Sequence, residues 1–170
     1  MTETTPTVDD EDDDPAQRLA AFVRDVGIDA EIVFLDGPSA TVAEAAATLE
    51  VPTSQIVKSL LFETRQGEHL LVVASGERRI DRQRLADKAG LPHLKLASAA
   101  TVLRCTGFPV GGMPPIGHQH QFPVIVDAAV LEESIVFGGG GRTDAVLRIL
   151  PADIVKLNRA TVSNVTEAGS

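Results

Sequence analysis

The sequence predicts an α/β protein of the α+β type: a mixed β-sheet with helices packed around it. Three observations lead there. Apolar strand-like runs and amphipathic helical runs are intermixed along the chain, but they do not alternate strictly, as a doubly wound parallel fold would require. The runs IVKSLLFE (56–63) and HLLVVA (69–74) flank a turn at Gly67 and read as an antiparallel pair. The 170-residue chain is 44% hydrophobic, enough for one domain with a real core.

Taken in order, residues 1–14 (MTETTPTVDDEDDD) hold seven acidic residues and no basic ones, which predicts a disordered acidic tail. A single domain is expected over 15–165, with a short C-terminal tail at 166–170. Asp14 followed by Pro15 is an N-cap and first-turn signal, and Gly27 is a stop. Between them Leu19, Phe22, Val23 and Val26 share one helical face. AEIVFL (30–35) reads as a strand closed by Asp36, Gly37 and Pro38. Thr41 and Glu44 form a capping box for a helix over 42–50, ended by Val51-Pro52.

After the strand pair, Asp81 caps a helix running to Gly90. HLKLA (93–97) is a short strand, and Ser98 caps a helix over roughly 99–105. PVIVD (123–127), SIVFG (134–138) and AVLRIL (145–150) are strands, with the glycine run 138–141 as a hairpin turn between the last two. Pro151 and Asp153 start a helix over 152–158, and ATVSNV (160–165) is a final strand.

Composition narrows the function. The formal net charge is −9, and the basic side is 11 Arg against 4 Lys. Such a chain repels a phosphate backbone overall, which argues against DNA and broad nucleic-acid binding, while a local basic patch could still hold one RNA. With six Phe and neither Trp nor Tyr, an aromatic stacking platform is poorly supported. No apolar run approaches a membrane span, so no membrane partner and a cytoplasmic location are expected. One cysteine cannot form an internal disulfide.

The chemistry-bearing residues concentrate in CTGFPVGGMPPIGHQH (105–120), which holds four Gly, three Pro, two His and the sole Cys. Cys105, His118 and His120 match no tight zinc spacing, and Cys105 falls in a helical pattern with Val102 that reads as core. The run GGGG (138–141) lacks the Lys-Ser/Thr of a P-loop. Lys58 interrupts an apolar strand, where an ammonium is expensive to bury unless paired. Either that strand face is open to solvent or the lysine is set into a pocket. The segment ERRIDRQRLADK (77–88) carries five basic and three acidic residues and reads as a solvated helix face with a modest patch.

The chain over about 18–158 resembles the YbaK-like aminoacyl-tRNA deacylase family, also called the prolyl-tRNA synthetase-associated editing domain. The resemblance rests on the lysine strand VPTSQIVKSLLF and on a GxxxGxxxPxG loop formed by Gly107, Gly111, Pro115 and Gly117. The order ERRID, KLAS, loop, PVIVD, glycine turn and P-x-D helix agrees with it. The resemblance implies a partly barrel-like mixed sheet, with a pocket between the lysine strand and the loop. It also implies hydrolysis of the ester of a mischarged tRNA, most readily Cys- or Ala-tRNA for proline, by a protein acting in trans with no metal or organic cofactor.

Under that resemblance Lys58 grips the substrate, while backbone N–H groups at Gly111 and Gly112 meet the developing oxyanion. Ser59, Gly107, Pro115, Gly117, His118 and Asp144 are candidate substrate-binding residues. The attacking group is an ordered water or a group of the substrate itself. The partners implied are the 3′ end of aminoacyl-tRNA and prolyl-tRNA synthetase. Two other readings stand beside this one: a non-catalytic tRNA- or synthetase-binding protein of the same fold, and an unrelated hydrolase using Cys105.

Overall fold

In the computed structural model, which describes residues 14–39 and 41–167, the Asp14 side chain accepts from the Ala16 N–H at 3.0 Å and opens helix α1 (Pro15–Val26). The expected acidic tail otherwise lies outside the described residues. Helix α1 turns Leu19 and Val23 inward and stops at Gly27. Thr41 caps α2 (Val42–Leu49) through the Glu44 N–H. This helix ends one residue before the expected 50, because Glu50 adopts a left-handed φ of 57°.

Helices α3 (Arg82–Ala89), α4 (Ala99–Thr106) and α5 (Pro151–Asn158) follow their expected positions. Among the described residues no helix is long and apolar enough to cross a membrane.

Among the described residues, eight strands form two sheets. β1 (Ala30–Phe34), β7 (Ala145–Ile149) and β6 (Val136–Gly139) are antiparallel, in the order β1-β7-β6. The second sheet has the order β4-β2-β3-β5-β8. In it β2 (Val57–Glu63), β3 (His69–Ser75) and β4 (Lys95–Leu96) are antiparallel, and β5 (Val124–Asp127) and β8 (Thr161–Ser163) are parallel additions. An isolated parallel bridge between Ile56 and Phe137 joins the start of β2 to β6. The two sheets therefore curve into one partial barrel with a seam where β2 and β6 part. Strand 93–97 shrinks to two paired residues, because only Lys95 and Leu96 find a ladder on β2.

Alternation along the strands sorts the core into an inner and an outer face. The inner face carries Leu61, Leu71, Val73, Val126, Leu147 and Ile149, covered by α1, α4 and α5 and by Phe108, Met113 and Ile116 of the Gly/Pro loop. The outer face splits in two. Phe62, Leu70, Val72 and Ala74 lie under Leu85 of α3, whereas Ile56 and Phe137 lie under Ala45 and Ala46 of α2. Each fully buried leucine or isoleucine contributes about 1.5–3 kcal/mol relative to exposure.

The C-terminus departs from expectation. Thr166, expected in a tail, is 1% exposed, bridges to Ile80 and donates its hydroxyl to Asp127 Oδ2 at 3.2 Å. A polar residue near a chain end resembles tail in sequence, but here it satisfies a buried carboxylate, so folded structure extends through Glu167. Asp127 is itself 1% exposed and also accepts from the Val165 N–H at 2.8 Å and the Ala129 N–H at 3.2 Å. Replacing Asp127 with Ala strands three donors, one of them the deeply buried Val165 N–H. We expect a stability loss of roughly 3 kcal/mol, read as a lower urea midpoint; an unchanged midpoint would refute the tether.

Candidate functional site

Lys58 sits in the middle of the outer-face split. Its cross-strand partner is Ala74, and Leu60 and Phe62 follow it on the same face. Neither α2 nor α3 covers this point, so the side chain is half-buried at the base of a groove of about 470 Å³. Its ammonium donates to the Arg78 carbonyl at 2.6 Å, and burial pushes its pKa below the ordinary lysine value. The groove wall is the β3–α3 connection, pinned by Gly76 N–H to Ile56 O at 2.7 Å and Asp81 N–H to Val165 O at 2.8 Å.

The glycine loop reaches the same seam from the inner side. An added Cβ at Gly138 would lie 2.9 Å from Pro115 and 3.3 Å from Val57, so loop and lysine strand converge on that residue. At Gly139 the approach is backbone to backbone, with an added Cβ 2.3 Å from the Met113 carbonyl oxygen. The Gly112 carbonyl accepts from the Gly141 N–H at 2.8 Å, locking loop to hairpin.

Several expectations are corrected by this geometry. The Lys58 side chain does not face the loop: Ser59 and Leu61 share the loop's inner face, and Lys58 points to the other. A one-residue step along a strand reverses the face, and the resemblance alone did not settle the sidedness. Gly112 is not a free donor, because its N–H is bonded to Pro109 O at 3.0 Å; the exposed Gly111 N–H has no acceptor among the described residues.

Gly107 ends α4 at φ 81°, bonds back to Leu103 O and offers its carbonyl to Arg18 Nη2 at 2.6 Å. It is the helix stop, with both its N–H and its carbonyl engaged within the protein. Asp144 is held by Arg142 through two bonds of 2.9 Å, and Arg142 also reaches Asp14 at 3.3 Å, so this carboxylate is committed to the β6–β7 turn.

Pro115 is buried, and its carbonyl accepts from Asn158 Nδ2 at 2.8 Å. Gly117 and His118 line a different cleft, beside Phe22, Phe122 and Asn158. His118 donates Nε2–H to the Pro114 carbonyl at 2.7 Å, and burial pushes its pKa down. Cys105 Sγ lies 4.0 Å from His69 Nε2, and Glu63 approaches that same nitrogen at 3.7 Å. A nucleophile–base–orienter relay needs both ring nitrogens, so these three groups do not form one. Among the described residues no cluster of three or more His, Cys, Asp or Glu is placed to hold a metal ion.

Sequence reasoning passed over Ser75. Its hydroxyl and that of Ser59 are buried without a hydrogen-bond partner among the described residues, as diagonal neighbours on the inner face. The signal was available in principle: a serine at the inward parity of an otherwise apolar strand.

Comparison with known proteins adds to this geometry. A family model described as the aminoacyl-tRNA editing domain matches residues 36–157. The chain is 29% identical over 132 residues to the protein YwhH of Bacillus subtilis, covering 78% of this chain and 83% of that one. It is 35% identical over 90 residues to a proline–tRNA ligase of Moorella thermoacetica, covering 53% of this chain but only 15% of the ligase. A crystal structure of a candidate trans-editing enzyme for prolyl-tRNA synthetase superposes with a TM-score of 0.84 at 32% identity, over 91% of this chain and 98% of that chain.

Two outcomes test the site's framework. Gly139→Ala forces the Met113 carbonyl away from β6, and we expect at least about 1–3 kcal/mol of destabilisation in a urea titration; no loss would refute the close approach. For His118, the unfolded chain binds a proton near the ordinary value of 6.5 while the folded ring resists it. Stability therefore rises with pH through that window and is lost as pH falls below about 6.5. The drop in urea midpoint from about pH 7.5 to about pH 5.5 should be smaller in His118→Gln than in the parent; equal drops would refute it.

Proposed function

This chain belongs to the aminoacyl-tRNA editing domain family, and on that premise we propose that it acts in trans to hydrolyse the ester of mischarged tRNA for proline, clearing cysteinyl or alanyl groups. The observation that carries this reading is the seam between β2 and β6. There the lysine strand and the glycine loop meet at Gly138, with both motifs inside the matched residues 36–157. The near-complete mutual coverage with the candidate trans-editing enzyme supports action as a separate protein. The chain spans less than a fifth of the length of the proline–tRNA ligases it matches, so a partnership with such a synthetase is part of the proposal.

Ester hydrolysis needs a donor where negative charge develops on the carbonyl oxygen. The Gly111 N–H is exposed and uncommitted, and Pro109 and the Gly112–Gly141 bond stiffen the turn that presents it. Lys58 supplies positive charge from the outer side of the seam. Its bond to the Arg78 carbonyl holds the ammonium in place and leaves two further N–H donors for the terminal nucleotide's phosphate or the substrate carbonyl. Ser59 lies on the inner side of the same strand with a buried hydroxyl that has no hydrogen-bond partner among the described residues. A small pocket separates aminoacyl groups by only about 1–3 kcal/mol per methylene, which is why cysteine and alanine are assigned together.

Deacylation of Cys- and Ala-tRNA for proline by the intact protein is the test. Lys58→Ala should lower kcat/KM by about 100-fold or more, the scale of losing one transition-state donor, and Cys105→Ala should leave it unchanged. Full activity in the Lys58 variant would sink the mechanism. Binding of tRNA without turnover of any mischarged form would assign the non-catalytic reading instead.

A further inference from the structure

The groove around Lys58 inverts the charge of the protein. Among the described residues, four that line it are cationic (Lys58, Arg78, Arg79 and Arg82), and the one acidic residue is Glu77, whose carboxylate accepts from the Thr53 hydroxyl at 2.5 Å. The chain as a whole carries a formal charge of −9. None of the three arginines takes part in an ion pair among the described residues, whereas the neighbouring Arg84 pairs with Asp81 at 3.8 Å. Three guanidinium groups and an ammonium against one carboxylate leave an excess of three positive charges at the groove, and an arrangement of this kind is stabilised by an anion between them.

The fold holds them there deliberately by backbone bonds. Arg78 carries its carbonyl to Lys58, and the Arg79 carbonyl accepts from the Glu167 N–H at 2.8 Å. The Arg82 guanidinium lies over the Phe62 ring at 5.9 Å, a contact that orients it across the groove. The remaining floor is aliphatic: half-buried Leu60 and Ile80, with Leu96 46% exposed at the rim. Cations spaced along an open apolar floor suit phosphates separated by flat bases. An enclosed anion pocket would have no use for that floor.

We propose that this groove is a binding track for single-stranded RNA. Arg79 and Arg82 contact successive phosphates next to the 3′ end, and a base lies on Leu60, Ile80 and Leu96. In a protein without Trp or Tyr, aliphatic side chains and guanidinium planes take the stacking role that aromatic rings have elsewhere. The track rests on the deacylase reading for the identity of the RNA as the end of tRNA, and it assigns Arg79 and Arg82 as positioning residues for that substrate. The segment 77–88, which reads as a solvated face in sequence, becomes the wall that leads the 3′ end to Lys58.

The experiment uses the full chain and a short fluorescent single-stranded RNA with the tRNA 3′ sequence and no amino acid, titrated between about 50 and 200 mM salt. The parent should bind, with log affinity falling against log salt by about 0.7 per phosphate contact. The Arg79→Gln/Arg82→Gln double variant should bind at least about tenfold more weakly at low salt, with a slope shallower by roughly 1 to 1.5. Arg82→Lys should keep the slope, and Arg24→Gln, an exposed arginine on α1, should behave as the parent. In deacylation the double variant should raise KM with little change in kcat.

No binding by the parent would overturn the track. So would an unchanged slope in the double variant, or equal binding of a duplex DNA of matched charge. Because the oligonucleotide carries no ester, a failure of deacylation alone would strike the proposed activity and leave this inference standing.

Discussion

The site depends on a contact between two backbones. The Gly/Pro loop runs against the β6–β7 hairpin so closely that neither side has room for a side chain at Gly139 or Gly112, where an added Cβ would lie 2.3 Å from Met113 O and 2.8 Å from the Arg142 backbone. This contact sets the loop beside the seam between β2 and β6. The Arg142 side chain clamps the hairpin turn from outside, joining Asp144 to the Asp14 cap of α1. Helix start, hairpin turn and loop therefore form one unit. A glycine spacing that looks like flexibility in sequence acts as a requirement for closeness in the structure.

The other side of the seam is organised by what does not cover it. Helices α2 and α3 each bury a separate cluster on the outer face, and Lys58 emerges between them. A lysine there avoids full desolvation, yet loses enough water to weaken its hold on the proton. An ion pair would have quenched it; instead its fixed partner is a carbonyl, which orients the ammonium while leaving its charge available. The loop leaves the Gly111 N–H uncommitted among the described residues, while the groove holds the Lys58 ammonium on the opposite face of β2.

Much of the local structure was legible from short-range chemistry. The caps at Asp14, Thr41, Asp81 and Ser98 all form, because a cap needs only a side chain and an N–H two or three residues on. The β2–β3 pair and the β6–β7 hairpin follow from apolar runs around glycine turns. Thr166 and the short β4 were misread because their partners, Asp127 and β2, lie tens of residues away.

By itself the sequence determined the elements, the mixed sheet and the two motifs that carry the family match. The face on which Lys58 lies was decided only in the tertiary structure, since a strand's sidedness depends on which distant helices cover each side. The same is true of the commitments of Gly112 and Asp144, whose partners are set by how the turns close. It is true above all of the arginines of 77–88. Counted along the chain they are nearly balanced by acidic neighbours, but folding turns Asp81 into a helix cap and gathers Arg78, Arg79 and Arg82 with Lys58 in a groove whose described lining holds one carboxylate, Glu77. Charge acts through distance in space, and the chain order does not contain that distance.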